Sequence, residues 1–190
     1  MNYDYHDALG HITDPARTAC FSGHRPEKAP FDVNNEFYLK TMKSLLHRCV
    51  LELYEEGFDT FICGMQRGVD IWAGQAVLRA KQAYPDIKLI CVSPYSKEIF
   101  SRHGEDKEDY IALRDGCDRF VTLGSEYYNG CYQRRNRFMV ENSSLLLAAV
   151  ADMNSGTGQT ISYAKKAGLR VKMLDLSEFV EHLRKFRSGI

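Results

Sequence analysis

Short apolar runs alternate with amphipathic stretches along almost the whole of this 190-residue chain. A short apolar run is typical of a buried strand, whereas apolar side chains three and four residues apart are typical of a helix. The runs predict six strands, at residues 18–22, 59–63, 88–92, 119–123, 145–151 and 170–173. The amphipathic stretches predict six helices, at residues 34–56, 69–83, 108–117, 133–142, 160–167 and 177–186.

This alternation predicts the fold class. Parallel strands cannot be joined by a tight hairpin, so each needs a crossover connection, which is usually a helix. Nearly all-apolar strands such as residues 88–92 suit a sheet that helices cover on both faces. We therefore expect an α/β fold, a three-layer sandwich around a doubly wound, mostly parallel sheet of about six strands.

Length and charge narrow the protein class. The chain is long enough for one domain with a substantial core, which we expect over residues 17–190 after an N-terminal arm at residues 1–16. Lys plus Arg equals Asp plus Glu, at 25 each. The protein therefore has no overall positive electrostatic field that would attract an anionic membrane or nucleic acid. This argues against both as partners.

The sequence carries neither a targeting signal nor a cysteine pattern typical of a metal site. No apolar run approaches the roughly 20 residues of a membrane-spanning helix, and the first residues lack signal-peptide character, so we expect a cytoplasmic protein. The six cysteines form no C-x-x-C half-site. We expect reduced thiols and no metal site.

The turn after the fifth predicted strand carries the clearest signal for a ligand. It reads Ser155-Gly156-Thr157-Gly158-Gln159-Thr160 and leads into a predicted helix. Glycines let the backbone approach an anion closely, and the first N–H groups of a helix point at it. The threonines add hydroxyl donors. Glycines that only end a strand and cap a helix would give the same pattern.

Two other strand ends carry related features, and ligands of such sheets bind outside the carboxyl ends of the strands. The first strand ends in the candidate residues Ser22, Gly23, His24 and Arg25. After the second strand, before an Ala-rich helix, come Gly64, Arg67, Gly68 and Asp70. This segment matches neither a P-loop nor the G-x-G-x-x-G fingerprint. Asp70 either complements the helix dipole or accepts a hydrogen bond from a ribose hydroxyl.

A cluster of arginines follows the fourth predicted strand. Arg134, Arg135 and Arg137 lie within one turn of a predicted helix, of which Arg134 and Arg137 share a face and Arg135 points elsewhere. Arginine can bind phosphate through two hydrogen bonds, although a solvated basic helix face would look the same. The loops after the first, second, fourth and fifth strands thus each carry glycines or arginines, at one edge of the predicted sheet. Together they predict a phosphate-bearing small molecule as the ligand.

Taken together, these residues resemble the YpsA-like branch of the SLOG superfamily, named for the DNA-processing protein DprA (also called Smf) and the cytokinin-activating LOG enzymes. The resemblance covers roughly residues 18–173. It rests on four segments in the family's order: SGHRP at 22–26, GMQRGVDIWA at 64–73, RRNRFMV at 134–140 and SGTGQT at 155–160. It implies a Rossmann-like fold whose pocket takes nucleotides or molecules related to ADP-ribose and NAD.

The resemblance also implies roles for individual residues. They are Ser22, Gly23 and Arg25 lining the pocket, Gly64, Gly68 and Asp70 on its floor, Asn136 and Arg137 from the fourth helix, and Gly156, Thr157 and Thr160 at the phosphate. Our candidate ligand-binding set adds His24, Arg67, Arg134, Ser155 and Gly158. It contains no catalytic residue, and no cofactor is required.

Two positions depart from the family pattern. Ser155 stands where the family has the first glycine of Gly-Gly-Thr. LOG-type hydrolases carry a glutamate just after the Gly-Thr pair, where this chain has Gly158, Gln159 and Thr160. Cleavage of an N-glycosidic bond needs a carboxylate, so we expect no hydrolase activity of that type.

The sequence features are compatible with three functions. The first is a binding module, a sensor, carrier or sequestering protein for a nucleotide derived from NAD or ADP-ribose. The second is a hydrolase of a nucleotide glycosidic or phosphate bond, with Asp70, Asp152 or Glu141 as its acid. The third is single-stranded DNA binding by the arginines and tyrosines of residues 127–137, against which the zero net charge argues. A homo-oligomer is left open.

Overall fold

The computed structural model describes residues 13–188. The strands are β1 (Thr18–Gly23), β2 (Thr60–Cys63), β3 (Lys88–Ser93), β4 (Arg119–Thr122), β5 (Leu145–Val150) and β6 (Arg170–Asp175). The helices are α1 (Glu36–Glu55), α2 (Val69–Lys81), α3 (Gly104–Gly116), α4 (Cys131–Glu141), α5 (Gly156–Lys166) and α6 (Leu176–Ser188). Short 3₁₀ turns lie at Pro15–Arg17, Pro26–Lys28 and Ser96–Ser101.

The six strands form one sheet in the order β4-β3-β2-β1-β5-β6, in which every neighbouring pair is parallel. Successive side chains of a strand point to opposite faces. In β1, Ala19 and Phe21 therefore pack into one core while Cys20 packs into the other. Helices α1, α2, α3 and α6 bury their apolar residues on the first face, and α4 and α5 on the second. The predicted α/β class, a three-layer Rossmann-like sandwich, is confirmed.

Two helices begin four residues earlier than predicted, since their first turns carry little apolar periodicity. The prediction started α5 at residue 160, but the helix begins at Gly156 because Ser155 adopts an extended backbone and its hydroxyl accepts a hydrogen bond from the Gly158 N–H. Helix α3 begins at Gly104, with Glu105 and Asp106 in the first turn, where negative charge favours the helix dipole. The other helix starts lie within about two residues of the prediction.

The N-terminal arm predicted at residues 1–16 lies mostly outside the described residues and stays a prediction. Within the described part, Asp14 caps the first 3₁₀ turn by accepting a hydrogen bond from the Ala16 N–H. No helix among residues 13–188 has the length and apolar character needed to cross a membrane. All six cysteines are free thiols.

The centre of the sheet determines where a ligand can bind. Strands β1 and β5 are neighbours, but the chain proceeds from β1 outward through β2, β3 and β4, and from β5 outward to β6 on the other side. Connections that diverge in this way leave a crevice at the carboxyl ends of the strands. A Cβ atom on Gly23 would lie 2.3 Å from the Val69 Cβ, so glycine at the end of β1 lets α2 begin close to this crevice.

Candidate functional site

A cavity of about 510 Å³ lies at the carboxyl ends of the strands, at the crevice between β1 and β5. This volume is in the range of small-molecule pockets, roughly 300–1,000 Å³. Four segments line it: the end of β1 with the turn after it, the turn after β2 with the start of α2, the loop before α4 with the first turns of that helix, and the start of α5.

Most of the predicted site residues meet at this cavity. Those that line it are Ser22, Gly23, His24, Arg25, Asp70, Asn136, Arg137, Ser155, Gly156, Thr157 and Thr160. The predicted residues that do not line it are Gly64, Arg67, Gly68, Arg134 and Gly158. These five residues lie on or next to the segments that line the cavity, but they do not themselves form part of its wall.

The three glycines of the second group serve close backbone approach or turn geometry within the fold. A Cβ on Gly158 would lie 1.8 Å from the Met153 carbonyl oxygen, and one on Gly68 would lie 2.6 Å from the His24 carbonyl oxygen. Gly68 also has a φ of 86°, which disfavours other residues. At Gly64 a Cβ would lie 2.7 Å from the Arg135 guanidinium and the Asp70 carboxylate.

The two arginines of the second group contact other side chains. Arg67 is half-exposed and forms an ion pair with Glu27 at 3.1 Å. Arg134 donates a hydrogen bond to the Tyr128 hydroxyl at 3.3 Å. Neither guanidinium lines the cavity.

Arg135 lines the cavity, although the candidate ligand-binding set does not include it. It is 4% exposed, and its guanidinium donates to the Gly64 carbonyl oxygen and lies 3.8 Å from the Asp70 carboxylate. Its Nε donates to the Asn136 side-chain oxygen at 3.0 Å. The signal that was missed is its spacing: Cys131, Phe138 and Met139, four residues before and three and four after it, are all buried.

Asp70 lies on the cavity floor in the first turn of α2 and is 5% exposed. Burial disfavours its charged form and raises the pKa of the carboxyl to about 6, although the Arg135 charge offsets part of this effect. The carboxyl on the floor of the cavity therefore keeps its proton to a higher pH than an ordinary aspartate does.

His24 joins the turn after β1 to the turn after β5. Its Nε2 accepts hydrogen bonds from the Ala151 N–H at 2.9 Å and the Asp152 N–H at 3.1 Å. Burial lowers the pKa of this imidazole. The neutral ring, with its proton on Nδ1, therefore connects the turns that follow β1 and β5.

Several polar groups at the start of α5 bond to one another. The Ser155 hydroxyl donates to the Asp152 carbonyl and accepts from Gly158, which caps the helix. Asn136 donates to the Thr160 hydroxyl at 2.8 Å, and that hydroxyl donates to the Gly156 carbonyl at 3.0 Å. Gly156 is exposed, and a Cβ built on it meets nothing within 4 Å. The Gly158 N–H is taken by the Ser155 cap, whereas Gly156 and Thr157, the first two residues of α5, line the cavity, so the start of the helix is open to it.

The side-chain charges of the cavity wall favour an anion. Its two carboxylates are engaged, Glu27 with Arg67 and Asp70 with Arg135. Arg25, Lys28 and Arg137 also line the wall, and none of the three forms an ion pair within residues 13–188. Three cations beside an open helix start attract a negatively charged group. Among these same described residues, no group of three or more His, Cys, Asp or Glu side chains is arranged to hold a metal ion.

Substitution of the two glycines at the start of α5 will show which of them packs against neighbouring backbone. Gly158→Ala should lower the free energy of unfolding by about 1–3 kcal/mol, because its methyl group overlaps the Met153 carbonyl. Gly156→Ala, the matched control two residues away, should leave stability unchanged or raise it slightly, since alanine favours helix. Urea unfolding measures both. Equal losses in the two variants would contradict the local geometry described above.

The raised pKa of Asp70 predicts a pH dependence of stability. Between its ordinary pKa of 3.8 and its folded pKa of about 6, the folded state holds a proton that the unfolded chain releases. Stability due to Asp70 is therefore present at the acid end of this range and is lost as pH rises through 6. From about pH 4 to pH 7, the wild-type protein should lose about 2 kcal/mol relative to Asp70→Asn. Parallel unfolding profiles for the two proteins would refute this.

Two solved structures share this fold. DNA processing protein A from Streptococcus pneumoniae superposes with a TM-score of 0.60 at 20% identity, covering 90% of this chain and 56% of that one. DNA processing protein A from Helicobacter pylori gives a TM-score of 0.58 at 19% identity, covering 92% of this chain and 73% of that one. The Helicobacter pylori structure is described in terms of a unique single-stranded DNA binding mode.

These neighbours correct one expectation. The zero net charge predicts no nucleic-acid partner, and that exclusion is wrong, since a structure of the same fold is described by its single-stranded DNA binding mode. Net charge averages over the whole surface. The cations Arg25, Lys28 and Arg137 instead gather at one cavity.

Sequence comparison identifies related bacterial proteins. A UPF0398 protein from Bacillus cereus strain B4264 is 27% identical over 150 residues, which is 77% of this chain and 82% of the relative. One from Bacillus thuringiensis strain Al Hakam is 25% identical with the same coverage. The model of the family described as YspA SLOG matches residues 19–178. The chain therefore belongs to the YpsA family of SLOG proteins.

Proposed function

We propose that the cavity binds a phosphate-bearing nucleotide, such as ADP-ribose or another NAD-derived molecule, and that the protein acts as a sensor, carrier or sequestering module for it. The observation that carries this proposal is the arrangement of Arg25, Lys28 and Arg137 around the open start of α5. A phosphate accepts hydrogen bonds from backbone N–H groups and from arginine at the same time. The Thr157 hydroxyl, which bonds to none of residues 13–188, adds another donor.

The state of the carboxylates supports binding over hydrolysis. Asp152 and Glu141 do not line the cavity, and Glu141 accepts a hydrogen bond from the Tyr163 hydroxyl. Asp70 lines it but lies beside the Arg135 guanidinium. Gln159 also lines it, one position after Gly158, and its amide cannot act as a base or stabilise a cation as a carboxylate does.

Calorimetry against ADP-ribose, NAD and AMP will test this proposal. We expect one binding site per chain, and about a ten- to hundredfold loss of affinity for Arg25→Ala and Arg137→Ala, since each removes a charged hydrogen-bond donor. Arg48→Ala is the matched control, because Arg48 is an exposed arginine on α1 that lies outside the cavity and pairs with none of its carboxylates. No heat with any of these nucleotides, or an equal loss in the control, would reject the proposal.

A second candidate function is single-stranded DNA binding, which the fold shared with the DNA processing protein A structures favours. The exposed Tyr127 beside the cavity cations is also of the kind that binds single strands, by stacking on bases.

The salt dependence of oligonucleotide binding will test this second candidate. If a strand contacts Arg25, Lys28 and Arg137, the logarithm of its affinity should fall with the logarithm of salt concentration with a slope of about −2. Fluorescence anisotropy of a labelled oligothymidylate measures this, and replacing all three residues by alanine should flatten the slope. An oligonucleotide that does not bind at about 50 mM salt, or one whose slope is the same in the triple variant, would exclude the cavity as a DNA site.

A further inference from the structure

The loop between β4 and α4 carries a tyrosine that the phosphate chemistry does not use. Tyr127 is 62% exposed, although its ring lies 5.8 Å from the ring of Tyr95 and 6.5 Å from that of Tyr132. Tyr95 is buried and Tyr132 is half-buried, and their rings lie 6.5 Å apart. Two fixed rings therefore support Tyr127 from the protein side and leave much of its ring accessible.

This exposed ring belongs to the wall of the cavity. Its neighbour Tyr128 is 40% exposed but does not line the cavity, and its hydroxyl accepts a hydrogen bond from Arg134. One of two adjacent exposed tyrosines is thus presented to the ligand space while the other is turned away. Asn129 and Gln133 also line the cavity near Tyr127 in sequence, and their amides can each donate and accept hydrogen bonds.

The position of Tyr127 relative to the start of α5 sets the length of a ligand that touches both. The loop of Tyr127 is held beside the turn after β3, because the Ser96 N–H donates to the Gly124 carbonyl at 2.9 Å and the Ser96 hydroxyl to the Ser125 carbonyl at 3.0 Å. The start of α5 follows β5. Three strand spacings separate β3 from β5 in the sheet, which is about 14 Å.

The two ends of the cavity therefore differ in chemistry. The end at α5 offers backbone N–H groups and the Thr157 hydroxyl, which suit a phosphate. The end at Tyr127 offers an aromatic face with amides beside it, which suits a planar base with polar edges. Arg25 follows β1, between the two ends in the order of the sheet, and its guanidinium lies 5.8 Å from the centre of the Tyr132 ring.

We propose that Tyr127 stacks on the base of the bound nucleotide and that the cavity selects an extended ligand, a nucleoside diphosphate or a longer derivative, whose terminal phosphate lies at the start of α5. This inference rests on the proposed nucleotide binding and specifies its orientation. Tyr127 is then the residue that distinguishes a nucleotide from a simple phosphate compound, while the cations and α5 bind both.

Binding of ADP and of pyrophosphate, its counterpart without base or sugar, tests the inference by calorimetry. Wild-type protein should bind ADP more tightly than pyrophosphate. Tyr127→Ala should weaken ADP about tenfold, as expected for loss of one stacked base, and leave pyrophosphate within about twofold. Tyr127→Phe, which keeps the ring, should retain ADP binding. Tyr128→Ala is the matched control and should change neither affinity.

The outcomes separate this inference from the function on which it rests. If pyrophosphate binds but Tyr127→Ala weakens both ligands equally, weakens neither, or is matched by Tyr128→Ala, the stacking role is overturned and phosphate binding stands. Equal wild-type affinities for ADP and pyrophosphate would also overturn it. If neither ADP nor pyrophosphate binds the wild-type protein, the inference is overturned, and the proposed function falls with it only if ADP-ribose, NAD and AMP also give no heat. Thermal melting of each variant shows that a lost affinity is not a lost fold.

Discussion

The buried guanidinium of Arg135 is the interaction on which the rest of the site depends. It donates to the Gly64 carbonyl after β2, lies beside Asp70 at the start of α2, and donates to Asn136 within its own helix. Asn136 continues the connection to Thr160 in α5. A buried charge is tolerated only where its hydrogen bonds are satisfied, and removing one partner typically costs about 3–5 kcal/mol. The floor of the cavity is therefore fixed before any ligand arrives.

This fixed floor divides the polar groups around the cavity into two sets. Ser155, Thr160, Asn136 and the Nε2 of His24 all bond to other parts of the chain, so they shape the cavity. Arg25, Lys28 and Arg137 form no ion pair within residues 13–188 and line the wall. When an anion binds to a preformed site with cations on its wall, little free energy is lost in ordering side chains and loops. The division of the polar groups into these two sets therefore supports the proposed binding of an anion.

Periodicity was sufficient to predict the sheet and most helices, because alternating apolar runs and helical spacing report burial directly. The rule that parallel strands end at one edge also brought together His24, Asp70 and Arg137. The sequence could not separate Gly156, which faces the cavity, from Gly158, which packs on Met153, since a glycine allows close approach to a ligand and to backbone alike. Nor did charge reveal that Arg135 is buried and Arg134 is not, because the face that a helix buries depends on its apolar neighbours.

A neutral chain can still bind a polyanion, because charges act over short distances in salt. The Debye length at physiological ionic strength is about 8 Å, so a phosphate at the cavity is little affected by acidic residues on the far side of the protein. Its electrostatic interaction is mainly with the nearby side chains of Arg25, Lys28 and Arg137, since the carboxylates of the cavity are already paired. Under the proposed function, the number of phosphates that these three side chains reach, rather than the net charge of zero, would therefore distinguish one nucleotide from a longer strand.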